Sequence, residues 1–233
     1  MRRPLPVAAA QPRCKASNLV SNAQSHAEAI HEAEARLVLF PELSLTGYEL
    51  DTEPVALTDP ALRPIVEACG ATGSVALVGA PVEEDGRRFI AALLVDGLGV
   101  TVAYRKSHLG GDELTRFSAG DGPTVISIDG WRLGMGICKD TGVADHTTGT
   151  AELGVDVYVA GLVHAPEELE EQDARGQRIA AACRSYVVFS SFAGPTGGGY
   201  DATAGESTIW SPDGVVMARA GGAAGEIAQV QLE

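Results

Sequence analysis

Three residues able to do chemistry stand where apolar runs end. Glu42 follows Leu-Val-Leu-Phe-Pro, Lys106 follows Val-Thr-Val-Ala-Tyr-Arg, and Cys138 follows Arg-Leu-Gly-Met-Gly-Ile. A carboxylate, an ammonium and a thiol are the groups that acid-base and covalent chemistry draw on. In α/β sheets, ligands bind outside the carboxyl ends of strands, so three such ends can converge on one cleft. Singly, each residue has a plainer reading: a solvated glutamate, a solvated lysine, a small buried thiol. Their joint occurrence, each in a Gly- or Pro-punctuated turn, is what favours a site.

The elements that must position them follow from hydrophobic period and turn chemistry. A strand over Leu5–Ala10, an Ala-rich helix over Asn18–Ala35 and a strand over Leu37–Phe40 form a βαβ unit, and Pro41 stops the second strand just before Glu42. Asp59-Pro60 opens a second helix that runs to Ala71. Val75–Val82, Arg88–Val95 and Val100–Arg105 are apolar runs separated by Glu83-Glu84-Asp85-Gly86 and Asp96-Gly97-Leu98-Gly99, so they read as antiparallel neighbours. The second half repeats the rhythm. Strands are expected over Thr124–Ile128, Arg132–Ile137, Val155–Ala160 and Val187–Phe192, a short helix over Asp145–Leu153 and a longer one over Pro166–Cys183. Ser207–Trp210 and Val215–Ala218 bracket a Ser211-Pro212-Asp213-Gly214 turn. The pattern fits an α/β domain with one mixed sheet, or two stacked sheets with helices outside.

Composition sets the bounds. The chain has 233 residues, 45% hydrophobic and 21% charged, which is enough apolar material for a core and speaks for one domain. Its 17 basic and 31 acidic residues give a net charge of −14, which argues against nucleic acid and anionic membrane as partners. No run reaches the roughly 18 apolar residues needed to cross a bilayer, and Gln11, Pro12 and Arg13 interrupt the start before it reads as a signal peptide. Cys14, Cys69, Cys138 and Cys183 are far apart, with no Cys-x-x-Cys pair. Reduced thiols in a cytoplasm are the expectation.

Phe40-Pro41-Glu42-Leu43-Ser44-Leu45-Thr46-Gly47-Tyr48 resembles the first signature of the nitrilase, or carbon-nitrogen hydrolase, superfamily. Tyr104-Arg105-Lys106-Ser107-His108-Leu109 resembles its lysine segment, and Gly136-Ile137-Cys138-Lys139-Asp140 its nucleophile segment, in the family's order. Glu113, with Phe117 and Gly120 after it, is similar to the additional glutamate that many members carry. The resemblance spans nearly the whole chain. It implies a four-layer α-β-β-α sandwich of the nitrilase type, paired into a homodimer or larger homo-oligomer, acting on a small-molecule amide or carbamoyl compound without metal or organic cofactor.

It also implies roles. An unperturbed thiol is only a few per cent ionised at about pH 7. The Lys106 ammonium favours the thiolate of Cys138, and Glu42 accepts the proton as general base. The oxyanion of the tetrahedral intermediate would lie against Lys106 and the backbone N–H of Lys139. Glu42 then protonates the leaving ammonia or amine and activates the water that hydrolyses the thioester. Glu113 positions the substrate amide or tunes Lys106. Lys139 follows the cysteine where nitrilases often have Trp, which points to amides rather than nitriles. The family's aromatic-Pro-Glu segment is replaced by Thr141-Gly142-Val143-Ala144-Asp145-His146, with Asp145 as a stand-in for the glutamate. That replacement keeps two further readings open: a non-catalytic binding or scaffold protein of this fold, and an acyltransferase using the same triad.

Candidate pocket-lining residues are Tyr48, Lys139, His146, His164 and Phe192. His108 is a rival base for Cys138, more simply read as pocket wall or surface. His26 and His31 do not share a helix face, so they are not a metal pair. Gly197-Gly198-Gly199 lacks the Lys-Ser/Thr ending of a phosphate loop, reads as a flexible surface loop, and can border the pocket. Glu167–Glu171 reads as a solvated helix start, and Cys14, Cys69 and Cys183 as structural.

Overall fold

The computed structural model describes residues 2–233. It contains twelve strands and four α-helices in the order β1 (Leu5–Ala10), α1 (Leu19–Ala33), β2 (Leu37–Leu39), α2 (Arg63–Thr72), β3 (Val75–Glu84), β4 (Arg87–Asp96), β5 (Gly99–Arg105), β6 (Val125–Ile128), β7 (Trp131–Ile137), α3 (Ala144–Glu152), β8 (Val157–Leu162), α4 (Leu169–Cys183), β9 (Tyr186–Ser191), β10 (Thr208–Trp210), β11 (Val216–Arg219) and β12 (Ile227–Leu232). They form two six-stranded sheets, ordered β12-β1-β2-β3-β4-β5 and β11-β10-β9-β8-β7-β6. Of the two architectures open to the sequence, the stacked pair is the one formed. Hydrophobic period reports which faces are buried, not which strands share a sheet.

Both sheets follow one plan. Read from β12 and from β6, successive strand pairs run antiparallel, parallel, parallel, antiparallel, antiparallel. The parallel pairs come from βαβ crossovers, which place a helix on a sheet face. Alternation along each strand then divides its side chains between two cores. On β2, Leu37 and Leu39 face the other sheet, where Leu133, Met135, Val157 and Val188 meet them, while Val38 lies under the helices. Ala23, Ala27 and Ile30 of α1 and Ile65 and Ala68 of α2 cover the first sheet. Ile179 and Ala180 of α4 cover Tyr158, Phe189 and Trp210 of the second. The layers are therefore α-β-β-α.

Local chemistry fixes the joins. Asn18 caps α1 by accepting the N–H of Ser21 at 3.0 Å, so the helix begins one residue later than expected. The Asp85-Gly86 and Asp129-Gly130 turns each place two residues at positive φ, the geometry of tight hairpins, and fix the β3/β4 and β6/β7 registers. Pro166–Glu168 forms a 3₁₀ turn, so α4 proper starts at Leu169. The strand expected over Val155–Ala160 lies two residues later, because Val157 is paired with Leu133. One strand goes beyond the expectation: β12 pairs antiparallel with β1 and closes the first sheet's edge.

Candidate active site

Glu42 is positioned by a squeeze. After β2 the chain leaves its sheet and runs between the two sheets, with a glycine on each side. A Cβ on Gly79 of β3 would lie 2.3 Å from the Leu43 nitrogen and 2.4 Å from the Pro41 carbonyl oxygen. A Cβ on Gly161 of β8 would lie 2.7 Å from the Phe40 oxygen and 2.8 Å from the Glu42 nitrogen. Only residues without side chains let both sheets approach this segment. His26 of α1 secures it from the outside. Its Nε2 lies 2.8 Å from the Ser44 hydroxyl, its Nδ1 lies 2.6 Å from the Asn22 carbonyl, and its ring packs on Phe40.

Lys106 continues the backbone pairing of β5, donating its N–H to the Ile90 carbonyl at 2.8 Å. Its side chain turns inward and donates to Glu42 Oε1 at 2.6 Å and to Glu113 Oε1 at 2.7 Å. An ammonium has three N–H donors, so one remains. Glu113 rides on a 3₁₀ turn over Gly111–Thr115. Its Oε2 accepts the Gly110 N–H at 2.9 Å, and its Oε1 also accepts the Tyr48 hydroxyl at 2.7 Å. All three charged side chains are no more than 2% exposed. Glu42 Oε2 is buried with no hydrogen-bond partner. A buried carboxylate oxygen without a donor is costly and needs a reason. The cluster therefore offers one unused donor and one unused acceptor.

Cys138 is the first residue after β7, at φ +39°, a left-handed conformation that non-glycine residues adopt at a cost of about 1–2 kcal/mol. The turn is held from behind. Asp140 Oδ2 accepts the Ile137 N–H at 3.0 Å and the Thr141 hydroxyl donates to the Cys138 carbonyl at 2.6 Å. The thiol lies 3.4 Å from the Val163 carbonyl and is partly accessible.

Burial and charge work against each other here. Burial pushes Glu42 well above the usual carboxylate range; Lys106 opposes the shift, while charge on Cys138 and Glu113 adds to it. Burial alone would depress Lys106, but the facing Glu42, Cys138 and Glu113 more than compensate and hold it above its ordinary value, so it stays an ammonium. Tyr48 is raised by burial and by the neighbouring Glu42 and Glu113, and stays a donor.

Lys106, Glu113 and Cys138 open onto one cleft of about 580 Å³, within the size range of small-molecule sites. Of the residues named from sequence as pocket walls, Tyr48, Lys139 and His164 line it, and Gly198 of the glycine run borders it. His146 and Phe192 do not line it, which corrects that expectation. Phe192 is buried at 1% exposure. His146 is buried behind the nucleophile turn, its Nε2 3.0 Å from the Tyr104 hydroxyl and its Nδ1 3.3 Å from that of Tyr158. An aromatic or imidazole beside a polar loop looks the same in sequence whether it faces a pocket or a core. Asp145 is exposed on α3 and outside the cleft, so it does not stand in for the family glutamate there. His108 is held by Asp140, with Nδ1 2.9 Å from Oδ1, rather than by Cys138. Sequence reasoning missed Tyr200, Glu168 and Arg175, all in the lining. Glu168 belongs to the acidic run that reads as a solvated helix start. Arg175, two turns into α4, carries no local signal.

The carbon-nitrogen hydrolase family profile matches residues 6–233. A hydrolase encoded in the pqqF 5′ region of Pseudomonas protegens is 30% identical over 205 residues, 84% of this chain and 71% of that one. An (R)-stereoselective amidase from a Pseudomonas species is 28% identical over 127 residues, and the match spans 53% of this chain and less than half (46%) of that enzyme. Among solved structures, an amidase from Nesterenkonia sp. AN1, crystallised as a cysteine variant in complex with butyramide, superposes with a TM-score of 0.87 at 23% identity, covering 98% of this chain and 90% of that one. None of the described helices is long and apolar enough to cross a membrane. A sandwich of this layering, a cleft at its strand ends and a match over nearly the full length lead to one assignment: the chain belongs to the carbon-nitrogen hydrolase family and is a hydrolase.

Proposed function

We propose that this chain hydrolyses a small amide through a thioester on Cys138, with Glu42 as general base and Lys106 as electrostatic partner. The observation that carries the reading is the buried Glu42–Lys106–Glu113 cluster beside Cys138, with one acceptor on Glu42 and one donor on Lys106 left unused. Glu42 Oε2 takes the thiol proton as sulfur attacks the amide carbon. The carbonyl oxygen becomes an oxyanion and receives the remaining Lys106 N–H and the Lys139 backbone N–H, each such donor typically contributing about 3–4 kcal/mol to the transition state. Glu42 returns the proton to the nitrogen as the C–N bond breaks, and ammonia leaves. Water then gives a proton to Glu42 and attacks the thioester, releasing carboxylic acid and restoring the thiol. A raised Glu42 suits a group that must both accept and donate a proton.

The open cleft favours catalysis over a scaffold with a closed pocket. Ammonia release from a panel of simple amides tests the proposal, with Cys138→Ala and Cys138→Ser as variants. Loss of turnover in both is expected, together with an acylated cysteine on trapping the wild-type reaction for mass spectrometry. Unchanged turnover in Cys138→Ala would end it.

A further inference from the structure

Lysine is scarce in this chain: Lys15, Lys106 and Lys139 are the only ones, and two of the three line one cleft. Lys106 is already paired, with two carboxylates. Lys139 is not. Its ammonium donates only to the Leu109 carbonyl, at 2.9 Å, and no carboxylate among the described residues lies within ion-pair distance. Arg175 joins it in the lining. Its Nε pairs with Glu171 at 2.8 Å and its Nη1 lies 3.4 Å from His164 Nε2, while Nη2 has no acceptor among the described residues.

Both cations lie over glycines. A Cβ on Gly110 would sit 3.1 Å from the Lys139 Cδ and 3.4 Å from its Nζ, and a Cβ on Gly142 would sit 3.0 Å from the Arg175 Cζ. Gly142 belongs to the segment that departs from the family pattern. Three acidic side chains share the lining, and none meets these cations as an ion pair: Glu113 is taken up by Lys106, Tyr48 and the Gly110 N–H, Glu168 folds back to accept the Ala165 N–H at 2.8 Å, and Asp112 is exposed at the rim. In a chain of net charge −14, two cations with idle donors in one cleft are out of keeping with the surface around them. A guanidinium with Nη2 free and an ammonium in the same lining match a carboxylate. Tyr48, Leu50 and Tyr200 supply aromatic and apolar lining for methylenes.

We propose that the preferred substrate is an amide whose acyl chain also bears a carboxylate, gripped by Lys139 and Arg175 while the amide lies at Cys138. This rests on the hydrolytic reading for its chemistry but not for its binding. Titration calorimetry on the Cys138→Ala chain compares glutaramate with valeramide, its uncharged counterpart of equal chain length. Glutaramate is expected to bind at least about tenfold more tightly, one decade of affinity. Lys139→Gln and Arg175→Gln should each erode that ratio severalfold and together bring it close to one. Gly142→Ala should lower it too, because its methyl displaces the guanidinium without altering charge. The ratio is taken within each variant, so a partial loss of folded protein cancels. The same ratio in kcat/KM is then read with Cys138 restored. Equal binding of the two amides, no measurable glutaramate binding, or a preference that survives both substitutions overturns the proposal. Binding preference without ammonia release would uphold the carboxylate site and sink hydrolysis instead.

Discussion

Glu113→Gln separates support of the lysine from contact with substrate. Glu113 Oε1 accepts from both Lys106 and Tyr48, and Oε2 accepts from Gly110 N–H. Every near neighbour is a donor. A glutamine amide has one oxygen, so its NH₂ must face a donor wherever it points, and one charge-assisted hydrogen bond of roughly 1.5–3 kcal/mol is lost. Lys106 keeps Glu42 as a counter-charge, so the full penalty of about 3–5 kcal/mol for an unpaired buried ion does not apply. A loss of about 2–3 kcal/mol in a chain of this length lowers Tm by roughly 5–10 °C. The kinetic effect should exceed the thermal one. With the carboxylate charge gone the second tether of the ammonium is weaker, Lys106 drifts from its place, and a misplacement of about 1 Å costs on the order of 100-fold. The expectation is a kcat reduced about 100-fold with KM changed less than about threefold. Steady-state kinetics well below the variant's Tm, beside a thermal melt, provide both numbers. A normal kcat with the predicted fall in Tm would refute the idea that Glu113 aims Lys106. A raised KM alone would assign it to substrate.

Three further outcomes follow from the geometry. Burial holds Glu42 well above the usual carboxylate range, and it must be ionised to accept the thiol proton; the acid limb of kcat/KM should therefore fall with a midpoint clearly above about 4.3, the free-glutamate value, and a profile flat down to that pH contradicts the assignment. Burial lowers His26 from 6.5 to about 4. The unfolded chain thus takes the proton first, and stability is lost as pH falls through that window, by about 3 kcal/mol in all. Urea titrations across it should show the loss in wild type and not in His26→Gln. Gly79→Ala and Gly161→Ala press a methyl into backbone that cannot yield, at 2.3 Å and 2.7 Å respectively; each should cost about 1–3 kcal/mol or more, Gly79 the greater, with loss of activity measured alongside Tm. Equal or negligible effects would mean the sheets are free to part.

Much of the site was legible because strand ends announce themselves. Pro41 stops β2, Lys106 follows the last residue of β5, and Cys138 the last residue of β7, so period and punctuation located all three. Glu113 needed the family resemblance, since nothing in Gly111–Thr115 marks an inward carboxylate. Arg175 was invisible for another reason: a helical arginine among glutamates looks solvated until the packing of α4 against the second sheet turns it to the cleft. His146 and Phe192 erred the opposite way, because polarity or aromaticity near a loop does not say which side of the backbone is wet. The joining of strands into two sheets also lay beyond local signals, being settled by the pairing of remote segments such as β12 with β1.

The passage of Pro41 and Glu42 between Gly79 and Gly161 ties a chemical variable to a mechanical one. The proton-transfer group sits at a height fixed by the gap between the two sheets, as an object held in a caliper reports the opening of its jaws. Enlarging or shrinking a distant side chain in that interlayer, Leu133 or Val188 for instance, would change the gap and so register as altered turnover before any unfolding is seen.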